Sequence, residues 1–228
     1  MAGLFVTGTD TGVGKSVVSA LLTLGLDADY WKPVQSGTEP STDTADVRAW
    51  TGLPQERFLP ERWRLQLPAS PHLAASTEGV RIDLEDFALP ESYASGQPWQ
   101  RPLIVEGAGG LLVPLNEQAL MIDLIARLRL PVVLVARTSL GTINHTLLSL
   151  EAMRARNLPV VGVVLNGAEH APNEAAIGQY GRVAVLGRIP PLPGLTAEHL
   201  REAFRSSFNE EALMLLAASL TDGANFRD

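Results

Sequence analysis

A glycine-rich segment near the N-terminus ends in a lysine and a serine, residue types that bind nucleoside triphosphates. It runs Gly8-Thr9-Asp10-Thr11-Gly12-Val13-Gly14-Lys15-Ser16, after the apolar run Leu4–Thr7 and before the helically spaced apolar residues of Val17–Leu24. Glycines let backbone N–H groups approach phosphate oxygens, and the following helix contributes the positive end of its dipole. Lys15 would neutralise the β and γ phosphates, and the Ser16 hydroxyl would ligate Mg²⁺. The segment therefore predicts a phosphate-binding loop for ATP with Mg²⁺.

The loop is one residue longer than the usual pattern. Four residues normally separate the first glycine from Gly-Lys, which would place that glycine at position 9, where this chain has Thr9. Gly8 comes one residue earlier. The alternative interpretation is a glycine-rich turn between a strand and a helix that carries an incidental lysine.

Two acidic residues are candidates to complete a metal site. Glu106 ends the apolar run Leu103–Val105 and precedes Gly107-Ala108-Gly109-Gly110. A carboxylate at the carboxyl end of a parallel strand faces the crevice where open α/β sheets bind ligands. Asp46 lies in the stretch Asp43–Arg48, which by itself indicates only an acidic residue that caps a helix.

The elements that must position these residues follow from short apolar runs that do not alternate with polar residues. Such runs are typical of strands covered on both faces, as in a parallel sheet flanked by helices. The predicted later strands are Tyr30–Val34, Leu103–Glu106, Val132–Val135, Val160–Leu165 and Val183–Leu186. The predicted later helices are Met121–Leu130, Thr142–Arg156, Asn173–Tyr180 and Ala197–Phe208. This order predicts a doubly wound α/β fold with a mostly parallel sheet, the P-loop NTPase fold.

The 228 residues are expected to form a single domain. The segment from about residue 37 to residue 100 is rich in proline, charge and tryptophan, with only short helical pieces such as Thr44–Thr51 and Pro71–Gly79. We interpret this segment as an irregular elaboration of the same domain on the substrate side.

Composition excludes several classes of function. The chain has no cysteine, which excludes disulfides, thiolate metal sites and cysteine nucleophiles. Its formal net charge is −7, without a cluster of Lys and Arg, so nucleic acid is not expected as a partner. No apolar run reaches the roughly 18 residues of a membrane span, and no signal peptide is apparent. A cytoplasmic enzyme with small-molecule substrates is the expectation.

Several stretches, in order along the chain, make it resemble the dethiobiotin synthetase family. They are Val6–Ser16 with its longer loop, Lys32-Pro33-Val34-x-Ser36-Gly37, Ser70-Pro71-His72, Val105–Gly110, Leu140–His145, Asn166 and Gly187-Arg188-Ile189-Pro190. The resemblance covers Val6 to about Pro191. It implies an ATP-dependent cyclo-ligase of biotin biosynthesis, with 7,8-diaminononanoate, CO₂ and ATP as substrates and Mg²⁺ as cofactor.

The resemblance also implies roles for individual residues. Lys15 and Lys32 would be catalytic, and Ser16, Asp46 and Glu106 would hold the metal. The implied nucleotide-binding residues are Gly12, Val13, Gly14, Lys15, Ser16, Val17, Glu106, Gly107, Ala108, Gly109, Asn166, Pro190, Pro191 and Leu192. The implied substrate-binding residues are Thr11, Lys32, Ser36, Gly141, Thr142, Ile143 and Asn144.

Two further expectations come from the resemblance. The helix that begins at Gly141–Asn144 would bind the substrate carboxylate of the other subunit, which makes a homodimer part of the active site. Gly12 departs from the family, which commonly has an acidic residue there, and Asp10 is the nearest carboxylate that could compensate.

Two other functions are compatible with a phosphate-binding loop. A cobyrinate-type amide synthetase has a related ATP-binding half, but its glutaminase domain needs a cysteine that this chain lacks. A ParA-like ATP switch usually carries an additional lysine early in the loop, and Gly8–Val13 contains none.

Overall fold

A seven-stranded sheet in which neighbouring strands run parallel forms the centre of the computed structural model, which describes residues 3–94 and 101–221. The strands are β1 (Gly3–Gly8), β2 (Asp29–Trp31), β3 (Val34–Ser36), β4 (Phe58–Leu59), β5 (Trp63–Leu65), β6 (Leu103–Gly110), β7 (Val132–Arg137), β8 (Val160–Asn166) and β9 (Val185–Ile189). The main sheet has the order β4-β2-β6-β1-β7-β8-β9, and β3 and β5 form a small second sheet. The predicted parallel α/β architecture is confirmed.

Helices cover both faces of this sheet. They are α1 (Lys15–Gly25), α2 (Asp43–Thr51), α3 (Pro71–Thr77), α4 (Glu91–Ala94), α5 (Met121–Leu128), α6 (Thr142–Arg154), α7 (Ala171–Gly181), α8 (Ala197–Ser207) and α9 (Glu210–Thr221). Helices α1, α2, α8 and α9 contribute to one apolar cluster, and α3, α5, α6 and α7 contribute to the other. Within the described ranges, no helix combines the length and apolarity needed to cross a bilayer.

The two apolar clusters explain why the strand sequences do not alternate. In β1, Leu4 and Val6 belong to one cluster and Phe5 to the other, and all three are fully buried. Successive side chains of a strand point to opposite faces, so helices on both faces require apolar residues at every position. Each such side chain contributes about 1.5–3 kcal/mol by burial.

The predicted strand Tyr30–Val34 is in fact two strands that belong to different sheets. Strand β2 ends at Trp31, and β3 begins at Val34. Pro33 lies between them and has no N–H to donate, while its carbonyl oxygen accepts bonds from the backbone N–H groups of Arg62 and Trp63. This break turns the chain from the main sheet into the small one, and Lys32 lies at the turn between them.

Other predicted boundaries differ by a few residues. The last strand is Val185–Ile189 instead of Val183–Leu186, and α2 begins at Asp43 instead of Thr44. Strands β4 and β5 and helix α9 were not predicted, because they are too short or too irregular in pattern to stand out. Residues 95–100 of the proposed elaboration lie outside the described residues.

Candidate functional site

A cleft of about 720 Å³ opens at the carboxyl ends of β1, β2 and β6. Loops that follow parallel strands meet at this edge of a sheet. The residues that line it are Thr11, Gly12, Gly14, Lys15, Ser16, Val17, Lys32, Gln35, Ser36, Gly37, Glu39, Ser41, Asp43, Trp50, Pro68, Ala69, Ser70, Pro71, Glu106, Ala108, Gly109 and Val113. Residues predicted from three distant parts of the chain therefore share one cavity.

The phosphate loop has the conformation that its glycines were expected to permit. Gly12 and Gly14 have φ values of +73° and +96°, in the left-handed region that favours glycine. Gly14 is followed by α1, so the N-terminus of this helix opens onto the cleft. The Lys15 ammonium donates a hydrogen bond to the Asp10 carbonyl oxygen at 3.0 Å. Lys15 thus arches over the loop in which phosphates would be bound.

A buried cluster of charges lies next to the loop. Glu106 Oε1 is 2.9 Å from Ser16 Oγ and 3.0 Å from Lys32 Nζ. Lys32 Nζ also donates to the Gly107 carbonyl oxygen at 3.1 Å. Glu106 and Lys32 are 1% and 2% exposed, so each depends on the other for compensation of its charge.

The register of β2 against β6 explains this meeting. Tyr30 pairs with Ile104 and Trp31 with Val105, so the next residues along the two strands are Lys32 and Glu106. Neighbouring parallel strands are about 4.8 Å apart, which brings the two side chains within reach of each other.

Asp43, and not Asp46, completes the cluster. Asp43 Oδ2 is 2.7 Å from Lys32 Nζ, and Asp43 Oδ1 is 3.2 Å from Ser16 Oγ. Asp46 was predicted as a metal ligand, but it is absent from the residues that line the cleft. The reason is the start of α2: the Thr42 side chain caps the helix by accepting from Ala45 N, which makes Asp43 its first residue. Side chains tilt towards a helix N-terminus, so Asp43 reaches the cluster and a residue one turn later does not.

The cluster changes the proton affinity of its members. Burial, followed by the charge of Lys32, lowers the pKa of Lys15 to about 8. Burial also opposes the charged forms of Lys32 and Asp43, but their attraction outweighs it. The carboxylates of Glu106 and Asp43 raise the pKa of Lys32, and Lys32 lowers the pKa of Asp43.

Tyr30 contacts the same carboxylate and was not predicted as a site residue. Its hydroxyl donates to Glu106 Oε2 at 3.0 Å, and its side chain is completely buried. Burial, and then the Glu106 charge, raises the pKa of Tyr30 well above its usual range, so the hydroxyl keeps its proton. In the sequence, an aromatic residue in an apolar run is typical of the hydrophobic core. Only the register of β2 against β6 shows that Tyr30 pairs with Ile104, two residues before Glu106.

The cluster fits a divalent cation by its chemistry. Ser16, Asp43 and Glu106 together supply a hydroxyl and two carboxylates, the hard oxygen donors that Mg²⁺ prefers. Lys32 already contacts both carboxylates, so they are held close together beside the loop.

The far side of the cleft is formed by β3 and the turn after it. Ser36 lines the cleft, and its Oγ is buried without a hydrogen-bond partner among the described residues. A buried hydroxyl without a partner is uncommon and suits a ligand contact. Gln35 was not predicted; its Oε1 accepts from Asp43 N at 3.1 Å and its Nε2 donates to the Gly37 carbonyl at 2.9 Å. It thereby ties this turn to the start of α2.

Asn166 lies at the end of β8 and contacts the phosphate loop. Its Nδ2 donates to the Val13 carbonyl oxygen at 3.1 Å. Asn166 pairs with Ile189 in β9, so the predicted residues Pro190, Pro191 and Leu192 follow directly beside it. None of these four residues is among those that line the cleft.

The predicted carboxylate-binding residues Gly141–Asn144 are also outside this cleft. Gly141 caps α6 with φ +93° and without a side-chain hydrogen bond to the helix. Gly141 and Asn144 are exposed, and Leu140 beside them is fully exposed.

The structure does not bring Asp10 into the cleft to compensate for Gly12. The Asp10 carboxylate accepts from Arg137 Nη2 at 3.1 Å and from the N–H of Thr11 at 2.7 Å. Asp10 lines a different, smaller cavity with His145 and Leu148. Among the described residues that line the cleft, those of the phosphate loop therefore include no carboxylate.

Comparisons with known proteins identify the family to which this chain is similar. A family model described as an AAA domain matches residues 2–199. A protein from Rhodopseudomonas palustris (strain HaA2) is 55% identical over 216 residues, which cover 95% of this chain and 98% of that protein. A protein from Afipia carboxidovorans is 54% identical over 206 residues, which cover 90% of this chain and 95% of that protein. Both are named ATP-dependent dethiobiotin synthetase BioD.

Solved structures agree at the level of the fold. A ParA family ATPase from Chlorobium tepidum TLS superposes with a TM-score of 0.52 at 14% identity, covering 99% of this chain and 100% of that chain. At that identity the likeness shows the fold alone. The sequence relatives are much more similar, and from them we conclude that this chain belongs to the dethiobiotin synthetase family.

Proposed function

We propose that this protein closes the cyclic urea of dethiobiotin from 7,8-diaminononanoate and CO₂, with conversion of ATP to ADP and phosphate. The names of its relatives support the ATP-dependent synthetase activity. One observation carries the chemistry: Lys32, Glu106 and Asp43 meet beside the phosphate loop, in the same cleft as the unpartnered Ser36 hydroxyl. A phosphoryl donor and an amine substrate can therefore be held side by side.

The proposed reaction has three steps. One substrate amine adds to CO₂ and loses a proton, which gives a carbamate. A carbamate oxygen attacks the γ-phosphorus and ADP leaves, which gives a mixed carbamic–phosphoric anhydride. The second amine then attacks the carbamate carbon, loses a proton and expels phosphate as the ring closes.

The two lysines serve the phosphoryl transfer. Such reactions depend on positioning and on stabilisation of charge more than on covalent chemistry by the protein. Lys15 contacts the β and γ phosphates, and Lys32 stabilises the charge that develops between the carbamate and the γ-phosphate. Asp43 and Glu106 keep Lys32 protonated, since they raise its pKa.

Ser16, Glu106 and Asp43 would hold Mg²⁺, with Asp43 in the role expected of Asp46. When bound, the ion would neutralise charge on the phosphate oxygens. The Ser36 hydroxyl bonds the carbamate or the amine of the substrate, and Thr11 lines the same cleft.

The nucleotide base lies on the other side of the loop. The Asn166 amide is held beside Val13 and can still use its remaining N–H and its oxygen on the adenine edge. Pro190, Pro191 and Leu192 would contact the face of the base.

We further propose a homodimer in which the N-terminus of α6 from one subunit binds the substrate carboxylate of the other. The N-terminus of α6, where Gly141 provides no side-chain cap, and the exposed side chains of Leu112, Leu140 and Leu148 support this proposal. Helix N-termini attract carboxylates through free N–H groups and the helix dipole.

The remaining parts of the proposal concern the whole chain. We treat it as one domain, because β4 of the segment after residue 37 pairs with β2 of the main sheet. We place the enzyme in the cytoplasm, with small molecules instead of nucleic acid or membranes as partners, in line with its net charge of −7.

The test is the release of ADP by the purified protein. We expect release that requires both diaminononanoate and bicarbonate, with dethiobiotin detected by mass spectrometry. Lys15→Ala should abolish it. A matched substrate control is the monoamine that lacks the second amino group, which cannot close the ring. ATP turnover that ignores the diamine and responds to DNA would refute the proposal in favour of a ParA-like switch.

A further inference from the structure

We propose that Tyr30 is a positioning residue that holds one carboxylate oxygen of Glu106, so that only the other oxygen faces the cations at the phosphate loop. This inference rests on the proposed role of Glu106 in binding Mg²⁺. It adds Tyr30 to the site. Neither the loop motif nor the position of Glu106 at the end of a strand predicts that a tyrosine belongs there.

The two oxygens of Glu106 have separate partners. Oε2 accepts from the Tyr30 hydroxyl at 3.0 Å. Oε1 accepts hydrogen bonds from both Ser16 Oγ, at 2.9 Å, and Lys32 Nζ, at 3.0 Å. The carboxylate therefore presents one oxygen to the loop and uses the other for its own orientation.

The backbone and the core fix the Tyr30 hydroxyl in place. Tyr30 pairs with Ile104, two residues before Glu106, so its side chain lies on the same face of the sheet as Glu106. Because parallel strands lie about 4.8 Å apart and rise about 3.3 Å per residue, residues offset in this way are about 8 Å apart at their Cα atoms, within reach of a tyrosine side chain. The Tyr30 ring also packs against Phe58 at 5.9 Å between centroids. A rotation of Glu106 would leave a completely buried hydroxyl without its acceptor, which resists that rotation.

This arrangement has a consequence for the choice of cation. Mg²⁺ requires a near-octahedral shell at about 2.0–2.1 Å, whereas Ca²⁺ tolerates more ligands and accepts carboxylates that bind through both oxygens. The Tyr30 hydroxyl takes one lone pair of Oε2 and holds this oxygen in place, so ligation of a cation through both oxygens of Glu106 would have to break or share that hydrogen bond. The Tyr30 hydroxyl therefore favours Mg²⁺ over Ca²⁺.

The test compares Tyr30→Phe with the unmodified enzyme in a binding experiment without turnover. Calorimetry measures the affinity of adenylyl imidodiphosphate, a non-hydrolysable ATP analogue, in saturating Mg²⁺ and then in saturating Ca²⁺. We expect the variant to lose about tenfold in affinity with Mg²⁺ and less with Ca²⁺, because a hydrogen bond to a charged group is lost while Oε2 becomes available. The ratio of the affinity in Mg²⁺ to the affinity in Ca²⁺ should therefore be smaller for Tyr30→Phe than for the unmodified enzyme.

Tyr93→Phe is the matched control. The Tyr93 hydroxyl also bonds a carboxylate, Asp29 Oδ2 at 2.5 Å, but neither residue lines the cleft. Loss of the Tyr93 hydroxyl should leave the affinity for the ATP analogue unchanged in both Mg²⁺ and Ca²⁺. Thermal unfolding of both variants reports how much each hydroxyl contributes to the fold alone. Equal weakening with both cations in Tyr30→Phe would mean a general loosening of the core and would overturn the proposal.

A second measurement needs no variant. A crystal structure of the unmodified enzyme with Mg²⁺ and the analogue should keep the Tyr30 hydroxyl on Oε2 while Oε1 faces the metal. Ligation through both oxygens of Glu106 would overturn the proposal. Because neither experiment contains the diamine, a failure of the dethiobiotin reaction would leave these outcomes unaffected and would count only against the proposed function.

Discussion

Replacement of Asp43 by asparagine tests the charge cluster most directly. Asparagine keeps the size of the side chain and an oxygen for Ser16, but it removes the negative charge that lies 2.7 Å from Lys32. Asp46→Asn is the matched control, because Asp46 also lies in the first turn of α2. Both variants lose a favourable interaction with the helix dipole, worth about 0.3–1 kcal/mol.

The size of the effect follows from burial. Removal of one partner from a fully buried ion pair costs about 3–5 kcal/mol. The Asp43 side chain is 35% exposed, so water screens this pair, and Lys32 keeps Glu106 as a second partner. We therefore expect Asp43→Asn to destabilise the protein by about 1–2 kcal/mol, against less than about 1 kcal/mol for Asp46→Asn.

Activity should separate the variants more clearly than stability. Asp43 orients Lys32 and is a proposed ligand of Mg²⁺. Loss even of a group that only orients the ligands of a metal typically lowers metal affinity or activity by about 10- to 100-fold. The assay follows diamine-dependent phosphate release as Mg²⁺ is varied at saturating ATP. We expect kcat/KM to fall by about 10- to 100-fold in Asp43→Asn, with a raised Mg²⁺ requirement, and no change beyond about twofold in Asp46→Asn.

The opposite pattern would refute this reasoning. If Asp46→Asn lost activity and Asp43→Asn kept it, the carboxylate that serves the metal would be the one expected from the family resemblance. The contacts between Asp43, Lys32 and Ser16 would then be incidental to the reaction.

Two further predictions concern the phosphate loop. Because the pKa of Lys15 is about 8 and bound phosphates favour its charged form, binding above that pH requires uptake of a proton. Affinity for the metal–nucleotide complex should therefore fall about tenfold per pH unit above about pH 8 and level off below it. Calorimetry in two buffers of different ionisation enthalpy would detect the proton that is taken up on binding. An affinity that does not change with pH would contradict the prediction. Gly14→Ala should abolish nucleotide binding, since its Cβ would lie 2.0 Å from Asn166 Nδ2 in a left-handed backbone. Gly12→Asn should still bind nucleotide and lose only about 1 kcal/mol of stability, because no described atom lies within 4 Å of the added Cβ. Equal behaviour of the two glycine variants in a binding assay would contradict the packing argument.

The sequence predicts the sheet and the loop because local signals suffice for them. The runs around Phe5 and Val133 are apolar at every position, and both strands lie between the two apolar clusters. Glu106 could be predicted at the cleft because a carboxylate that ends such a run must face the edge of the sheet. Lys32 needed the family resemblance, since a lysine before a proline is equally compatible with the surface.

The rest of the site depends on facts that no local pattern contains. Asp43 and Asp46 are both acidic residues of one helical turn, and the choice between them depends on Thr42 as the capping residue. The hydroxyl of Tyr30 matters only through the register of β2 against β6, which sequence spacing does not give. The contact of Asn166 with Val13 joins residues 153 positions apart, across the end of the sheet.

The cluster beside the loop also has a consequence for how the nucleotide enters. Lys15 and Lys32 supply two positive charges, and Asp43 and Glu106 supply two negative ones, so these four groups are electrically neutral together. A bare triphosphate would bring several negative charges into this partly dehydrated pocket, and the four groups, which are neutral together, would not compensate for the loss of hydration of those charges. A triphosphate that binds together with a divalent ion leaves the net charge of the pocket much closer to zero. Under the proposed function, charge neutrality therefore favours binding of the metal–nucleotide complex over binding of the free nucleotide.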